Sequence, residues 1–546
     1  MRKLSLLIIF ILSLNFSAQA VSETQKLESL CKVWGFLKYY HPNVSKGNFN
    51  WDEQLFQKIS ELKKINDKSQ LNELYSSWIE SLGKVDKCKE CLQEENKTYF
   101  LKNFDLNWIN DKSLFFENTS EKLKYIQNNR NIGENNYFGK DDRKVFFRNE
   151  NSYGSKFTST QICLLELFRY WNYVEYFFPY KYKTDENWNN VLTQMIPKFL
   201  SVNTDENYHL ALAELVTKTD DSHAYLFSPL ITLNQYGKRK VPVEYSYAEG
   251  KLIVTKINAT KFNEANLLKT GDVIYDVDGL TISQKVNAFG KYIPASNTWG
   301  KIKKVKNLFL FSNNDSINIR LERDGENLEL KVKTYLLKDI INEKPIVSEK
   351  WKLIDDGRKI GYVNMGIIER KDLDEMYKSL QSTESIIFDL RNYPKQTILP
   401  LSKILLPENT IYYQFNFPET RYLSKFYSRK NHIGTHNPDY YKGNVIVLVD
   451  ENTQSQAETT AMMFKQHPKA KIIGSNTAGA NGDIISFRIA GLATSFTGIG
   501  AYYPDGKETQ RIGIIPDIII KPTLQGIIKG KDELLERALE YLKTGL

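Results

Sequence analysis

The sequence predicts a multidomain α+β protein with a helical N-terminal region, a small β-rich domain, and a C-terminal α/β core that has a mostly parallel sheet. Three observations carry this prediction. Apolar residues recur at intervals of three and four up to about residue 235, short β-type runs follow, and from residue 350 apolar strands alternate with helical stretches. A chain of 546 residues has room for about three or four domains. We place the domain boundaries at 21–235, 240–336 and 350–546.

The composition is that of an ordinary water-soluble globular protein. Hydrophobic residues make up 41% of the chain and charged residues 25%, and the mean hydropathy is −0.45. The net charge of +9 comes from 74 basic and 65 acidic residues that are spread along the whole chain. Because no basic tract is present, the composition argues against nucleic acid as a partner.

The first twenty residues have the pattern of a secretory signal peptide. Arg2 and Lys3 precede an apolar run from Leu4 to Leu14, and Ala18-Gln19-Ala20 gives a small-x-small cleavage site. The run is too short for a membrane span, which needs about twenty apolar residues. We therefore expect an exported protein, periplasmic or secreted, with no membrane span after signal removal.

The helical region contains an internal repeat with copies near 27–62 and 164–199. Equivalent residues are 137 positions apart without a gap, and the pairs include Leu27 with Leu164, Trp34 with Trp171, Pro42 with Pro179, and Trp51 with Trp188. The apolar spacing before each proline predicts an amphipathic helix that ends there. Between the copies, residues 95–155 are rich in polar and aromatic residues and predict irregular structure or a few strands.

The chain has four cysteines, of which Cys88 and Cys91 form a C-x-x-C pair. A local disulfide, half of a zinc site and a redox motif are the competing interpretations. A zinc site would need a second ligand pair, which is missing, and a redox motif would follow a strand, whereas Cys88 and Cys91 follow a helical pattern. The oxidising environment of an exported protein favours the disulfide. Cys31 and Cys163 lie among apolar residues and are expected to be buried thiols.

Residues 240–336 resemble a PDZ domain of the bacterial type. The β-type runs Lys251–Ile257, Ser316–Glu322 and Leu328–Thr334 surround residues 267–279, LLKTGDVIYDVDG. This segment resembles the PDZ pattern in which a turn before Gly-Asp leads into a strand that ends at a glycine. The resemblance implies a module that binds an extended peptide or a chain terminus as an added strand; the alternative is an inert spacer.

The α/β core is predicted from buried strands at Ile360–Met365, Ser385–Leu390, Val445–Val449 and Lys471–Ile473, with helices at Leu373–Ser379, Ala457–Gln466 and Asp532–Leu542. Ser455 stands where a strand passes into a helix. Local sequence leaves two roles open for it. It fits an N-cap, with Glu458 completing a capping box, and it fits a nucleophile at the positive end of the helix dipole.

Ordered motifs favour the nucleophile. Residues 386–394 (IIFDLRNYP), 455–458 (SQAE), 474–479 (GSNTAG) and 513–518 (GIIPDI) resemble, in this order, the core motifs of the tail-specific (C-terminal processing) and tricorn-type serine peptidases. Each motif is weak alone, and the ordered set is specific. With the PDZ-like domain and preceding helices, the resemblance covers most of residues 160–546. It implies a serine peptidase with Ser455 as nucleophile, supported by Glu458, and neither metal nor cofactor.

The resemblance also implies a general base. One branch of the family uses a lysine at a position that Ala480 occupies here, whereas the tricorn branch uses a histidine preceded by a serine, which matches Ser222-His223. His223 would then take the proton of Ser455, with Ser222 supporting the imidazole. The family's supporting glutamate falls at Gln510, so we expect Gln510→Glu to preserve or raise acylation.

The oxyanion hole implied by the resemblance consists of the backbone amides of Gln456 and Lys395. The family usually has two glycines where this chain has Lys395-Gln396, so a left-handed turn would strain the lysine. The predicted function is an exported serine endopeptidase that cleaves peptides or unfolded proteins by acyl transfer. The alternative is a catalytically weakened, peptidase-like module that binds peptides or apolar ligands, which the substitutions at 395, 396 and 510 favour.

Overall fold

The structure is a computed structural model that describes residues 20–92, 98–257, 267–340, 349–355, 357 and 359–546. All but the last residue of the predicted signal peptide lie outside this description. The chain divides into two compact units, Met1–Gln93 with Asp105–Asn135, and Glu94–Phe104 with Asn136–Leu546. This division falls inside the predicted helical region, and the boundaries at 21–235, 240–336 and 350–546 stay a prediction. Among the described helices, none has the length and apolarity that a membrane span requires.

The first unit is helical. Its helices are α1 (Glu23–Tyr40), α2 (Pro42–Ser45), α3 (Trp51–Leu62), α4 (Lys68–Ser81) and α5 (Glu117–Asn128). Helix α5 lies within residues 95–155 and corrects part of the prediction of irregular structure or a few strands there, because Leu123 and Ile126 are buried and give this polar segment one apolar face. The short strands Tyr99–Phe100, Phe138–Asp141 and Lys144–Phe147 confirm the rest of that prediction. The predicted Cys88–Cys91 disulfide is confirmed, and Cys31 is a buried thiol, as is Cys163 of the second unit.

The second unit begins with the other copy of the repeat. Its first elements are β1 (Tyr99–Phe100), β2 (Phe138–Asp141), β3 (Lys144–Phe147), α6 (Thr160–Phe177), α7 (Trp188–Leu200), α8 (Asp205–Thr217), β4 (Tyr225–Leu226) and α9 (Pro229–Ile231). Helices α6, α7 and α8 start 137 residues after α1, α3 and α4.

The repeat extends to individual hydrogen bonds. Trp34 and Trp51 each donate the indole N–H to the other's carbonyl, at 3.1 and 3.2 Å, and Trp171 and Trp188 do the same at 2.9 and 3.0 Å. All four side chains are buried. An indole buried in a helix pair needs an acceptor, so the reciprocal bond explains why both tryptophans occur in both copies.

The β-rich module, residues 240–336, is built on antiparallel strands. Its elements, with the flanking Arg239, are β5 (Arg239–Lys240), β6 (Val243–Ala248), β7 (Lys251–Ile257), β8 (Val273–Val277), β9 (Leu280–Thr281), α10 (Ile282–Gly290), α11 (Thr298–Val305), β10 (Phe311–Ser312), β11 (Ser316–Arg323), β12 (Glu326–Lys333) and β13 (Tyr335–Leu336). The main sheet has the order β12-β11-β8-β7-β6, and β10-β5-β13 form a second one. Buried aliphatic residues fill its interior.

The remaining elements build the α/β core. They are β14 (Trp351–Asp355), β15 (Ile360–Asn364), α12 (Leu373–Leu380), β16 (Ser385–Asp389), α13 (Ile398–Leu405), β17 (Thr410–Pro418), β18 (Phe426–Ile433), β19 (Asn444–Val449), α14 (Gln456–Phe464), β20 (Ala470–Gly474), β21 (Ile484–Ile489), β22 (Leu492–Thr497), β23 (Gly500–Tyr502), β24 (Ile518–Ile519), α15 (Leu524–Ile528) and α16 (Glu533–Thr544). The predicted core strands and helices all occur, within one or two residues of the predicted ends.

The central sheet of the core has the order β14-β15-β16-β19-β20-β24, with parallel pairing from β15 to β24 and an antiparallel β14. Strand β19 is buried on both faces. Val445 and Val447 point into the cluster that α12, α13 and α14 cover, whereas Ile446 and Leu448 face the cluster with α16. Parallel strands end at one edge of the sheet, so the segments after β16, β19 and β20 meet there.

Candidate active site

Ser455 occupies a strained backbone position between β19 and α14. Its φ is 58° and its ψ is −119°, a conformation that costs a non-glycine residue on the order of 1–3 kcal/mol. Its amide donates to the Ala480 carbonyl at 2.9 Å. The side chain does not cap the helix. The capping-box interpretation of Ser455 and Glu458 is therefore wrong, because the Ser455 hydroxyl accepts no hydrogen bond from the first amides of α14.

His223 lies on the segment between α8 and β4, and its ring is anchored by Thr497. Strand β4 pairs with β22, with Tyr225 opposite Ser495, and this pairing brings the histidine beside the end of β22. Nδ1 of the ring is 2.9 Å from Thr497 Oγ1. Burial lowers the pKa of His223, so the imidazole is neutral near pH 7 and has a free nitrogen lone pair for a proton.

The structure brings the segments of Ser455 and His223 into contact. The Gln454 side chain donates its Nε2 hydrogen to the Ser222 carbonyl at 3.3 Å, which joins the residues immediately before the two predicted catalytic groups. Among the hydrogen bonds of the described residues, none joins the His223 ring to Ser455. Apo enzymes often form this bond only with substrate bound, so the arrangement is compatible with proton transfer between the two.

Ser222 does not support the ring of His223, which corrects the predicted role. Its hydroxyl donates to the Ala478 carbonyl at 3.0 Å and accepts from the Ser296 amide at 2.8 Å. The Ser222 amide in turn donates to Ser296 Oγ at 2.7 Å. The hydroxyl hydrogen and the acceptor position are thus engaged by the β-rich module and the Ala478 turn, away from the imidazole.

Gln510 reaches the site, but through another residue. Its Nε2 donates to Asp221 Oδ1 and to Ser296 Oγ, both at 3.3 Å. The neighbouring Glu508 instead accepts from the Tyr182 hydroxyl at 2.6 and 2.7 Å, outside this network. The hydrogen bonds of Gln510 therefore go to Asp221 and Ser296, and not to Ser222 or to the histidine ring.

Asp221 and Thr497 are site residues that the sequence analysis misses. Asp221 is fully buried and accepts hydrogen bonds from the His223 amide at 3.0 Å, from the Thr497 amide at 2.6 Å and from Thr497 Oγ1 at 3.0 Å. An acidic residue two positions before a candidate base is a signal that the DDSHA segment does contain. Thr497 lies outside every motif, and only the pairing of β22 with β4 brings it to the ring.

The two predicted oxyanion donors differ in their surroundings. Gln456 is the first residue of α14, so its amide has no partner within the helix and lies at the positive end of the dipole. Lys395 follows the buried Pro394 and is exposed. The left-handed residue of this turn is Gln396, with φ 51°, so the expected strain on lysine falls one residue later.

Hydrogen bonds of Glu458 and Thr477 connect three of the sequence motifs, 455–458, 474–479 and 513–518. Glu458 Oε1 accepts from the Gly479 amide at 2.9 Å and from the Thr477 hydroxyl, and Thr477 Oγ1 accepts from the Ile514 amide at 2.8 Å. The carboxyl is fully buried, and this burial raises the pKa of Glu458 to about 8 despite the hydrogen bonds. Glu458 thus supports the turn whose Ala480 holds the amide of Ser455.

Helix α11 of the β-rich module contacts the segment that immediately precedes Ser455. Lys303 Nζ donates to the Asn452 carbonyl at 3.2 Å and to Gln454 Oε1 at 2.9 Å. Gly300 allows this approach, because a Cβ there would lie 2.4 Å from Ser222 Oγ. In the part of the chain that the structure describes, no group of three or more His, Cys, Asp or Glu side chains could hold a metal ion.

Comparison with known proteins gives a match to one peptidase family and to two curated processing proteases. Residues 359–520 match peptidase family S41. The chain is 24% identical over 243 residues to a carboxyl-terminal-processing protease of Synechocystis sp., a match covering 42% of this chain and 54% of the relative. It is 23% identical to the same-named protease of Picosynechococcus sp., over 67% of this chain and 84% of that one. The chain spans about half the length of the first relative.

Among solved structures, mature CPAF resembles the described chain in fold. The TM-score is 0.56 at 15% identity, over 69% of this chain and 96% of the other. At this identity the likeness concerns the fold alone.

Proposed function

Residues 359–520 form a domain of peptidase family S41, and from this premise we propose that the chain is an exported serine endopeptidase that acts through Ser455 with His223 as general base. The observation that carries the proposal is the strained backbone of Ser455 at a helix N-terminus, with a hydroxyl that does not cap the helix. Backbone strain of this kind concentrates at functional sites. A residue adjacent to Ser455 contacts the segment that carries a neutral histidine.

The proposed reaction is acyl transfer. Neutral His223 takes the proton of the Ser455 hydroxyl while the oxygen attacks the peptide carbonyl, and the amides of Gln456 and Lys395 donate to the developing oxyanion. The imidazolium then gives its proton to the leaving amine as the C–N bond breaks. A water molecule, deprotonated by His223, then attacks the resulting ester. As the bond between the acyl carbon and Ser455 Oγ breaks, the imidazolium returns the proton to that oxygen, which releases the acid and free Ser455. An imidazole with a pKa near or below neutrality can perform both proton transfers.

Peptides and unfolded proteins are the proposed substrates. The β-rich module supports this, since its main sheet ends at β6 and β12 and a PDZ-like domain accepts an extended peptide as an added strand. The names of the two relatives point to cleavage near carboxyl termini, which we extend to this chain as part of the proposal. Export through residues 1–20 would bring the enzyme to such substrates outside the cytoplasm.

The test compares wild type with Ser455→Ala and with Ser379→Ala, which changes an exposed serine on α12. Fluorescent casein cleavage and labelling by a serine-reactive fluorophosphonate are measured on the purified proteins. We expect Ser455→Ala to abolish both signals and Ser379→Ala to retain both. Equal cleavage by wild type and Ser455→Ala would exclude the proposed mechanism, and peptide binding without labelling would support the binding-module alternative.

A further inference from the structure

We propose that Thr497 and Asp221 position His223 for catalysis, with the Thr497 hydroxyl accepting the ring Nδ1–H and the Asp221 carboxylate holding that hydroxyl. This assignment rests on the proposed function, and it replaces Ser222 and Gln510 in the supporting roles that the motifs imply.

The direction of each hydrogen bond follows from the chemistry of the groups. An ionised carboxylate only accepts, and a hydroxyl has a single hydrogen, so Thr497 Oγ1 donates to Asp221 Oδ1 at 3.0 Å. Towards His223, 2.9 Å away, the same oxygen can then only accept. The ring must therefore hold its hydrogen on Nδ1, which leaves the lone pair on Nε2 to accept the proton of Ser455.

Asp221 also supplies charge. It is fully buried, and its carboxylate accepts hydrogen bonds from the backbone amides of His223 and Thr497. Of the neighbouring charges, that of Asp221 does most to raise the pKa of His223, and so to stabilise the imidazolium that forms during proton transfer. The other charged groups that act on the ring are Lys304 and Lys303, which oppose protonation, and Asp483, which favours it. Burial and the two lysines keep the resting imidazole neutral, and Asp221 limits the cost of protonating it.

This arrangement explains why a neutral side chain stands at position 510. Its amide hydrogen points to Asp221 Oδ1, so it stabilises the ionised carboxylate without adding charge. A glutamate at this position would bring a second carboxylate within about 3.3 Å of the first, and like charges at that distance raise the pKa of one of them. The structure therefore reverses the expectation from sequence, and Gln510→Glu should lower acylation.

The primary test compares Thr497→Val with Thr497→Ser, because valine keeps the shape and loses the hydroxyl, whereas serine keeps the hydroxyl. Thr494→Val is the matched control, since Thr494 is a buried threonine of the same strand whose hydroxyl donates to the Tyr225 carbonyl at 2.5 Å. The readouts are the second-order rate of fluorophosphonate inactivation between pH 5 and 9 and the thermal unfolding midpoint.

We expect Thr497→Val to lower the inactivation rate about 10²-fold, less than the roughly 10⁴-fold loss known for a carboxylate in direct contact with the histidine. Its acid limb should move to lower pH, because the imidazolium loses its connection to Asp221. Thr497→Ser and Thr494→Val should stay within about threefold of wild type, and Gln510→Glu should fall below it. Equal rates and pH profiles for Thr497→Val and Thr494→Val would overturn the proposal.

A second measurement separates this inference from the proposed function. In protein labelled with ¹⁵N-histidine, the His223 ring should show the Nδ1–H tautomer in wild type and lose that preference in Thr497→Val. Absence of Ser455 labelling together with the expected tautomer would contradict the proposed function alone. An Nε2–H tautomer in wild type would refute the role of Thr497 even in an active enzyme.

Discussion

Replacing Glu458 by glutamine should make the α/β core more stable above pH 8 and leave it nearly unchanged at pH 5. Glu458 is fully buried, and its Oε1 accepts from the Thr477 hydroxyl and the Gly479 amide. Glutamine has the same shape, and its amide oxygen can accept both bonds. What the substitution removes is the ability to ionise.

The magnitude follows from the pKa of Glu458, which burial raises from 4.5 to about 8 in the folded chain. Between these values the unfolded chain loses this proton and the folded chain keeps it, so the free energy of unfolding falls as pH rises. At about 1.4 kcal/mol for each pH unit, the loss amounts to about 5 kcal/mol once the pH exceeds 8. Below pH 4.5 both states hold the proton and the loss is absent. Glutamine abolishes this dependence.

Hydrogen exchange can measure the effect where it arises. Amides of β20 and of the turn at Thr477–Gly479 report the opening of this part of the core, and a comparison at equal pH cancels the intrinsic exchange rate. We expect the protection of Glu458→Gln to exceed that of wild type by less than about 1 kcal/mol at pH 5 and by several kcal/mol at pH 8.5. Glu375→Gln, which changes an exposed carboxylate on α12, is the control and should follow wild type at both values.

The opposite sign would refute this reasoning. If Glu458 were ionised in the folded protein, its charge would strengthen the bonds from Thr477 and Gly479, and glutamine would weaken them. Glu458→Gln would then be less stable than wild type at pH 8.5, and the difference would shrink towards pH 5. A variant with equal destabilisation at both pH values would show that packing, not charge, governs this position.

Two further predictions concern the repeat and the disulfide. Trp188→Phe removes the donor to the Trp171 carbonyl and should lower the free energy of unfolding in urea by about 1–3 kcal/mol. Trp51→Phe should lower it by a similar amount in the first unit. Unequal losses would contradict the equivalence of the two copies of the repeat. Reduction of Cys88–Cys91 should lower the stability of the first unit by only about 2 kcal/mol, because a disulfide that closes a short loop restricts the unfolded chain little. Thermal unfolding with and without reductant measures this loss, and a larger loss would contradict the explanation.

Core strands could be predicted from sequence because burial on both faces produces continuous apolar runs. Strand β19 (Asn444–Val449) is such a run, and its predicted bounds differ from the observed ones by one residue. Strand β18 (Phe426–Ile433) escapes prediction, since its middle residues are exposed and its apolar residues do not alternate. Helix α5 escapes for a related reason, because two buried residues supply its apolar face within a polar segment.

Residues of the candidate site could be predicted where a reactive side chain lies within a recognisable sequence motif. Ser455 stands in an ordered set of motifs, and His223 is one of only six histidines in the chain. Thr497 could not be found in this way. It lies 274 residues from His223, and its position depends on the register between β4 and β22, in which Tyr225 faces Ser495. Register of this kind is fixed by the packed core rather than by any local pattern.

The interpretation of Gln510 differs between the sequence alone and the structure. By itself, glutamine at an acidic position of the motif indicates a weakened enzyme. In the structure the acidic charge is already supplied by Asp221, which is fully buried and has four hydrogen-bond donors around it, one of them the Gln510 amide. A second carboxylate would repel the first, and one of the two would take up a proton. The neutral amide instead gives Asp221 a further hydrogen-bond donor without a second charge, so glutamine at position 510 fits the proposed activity.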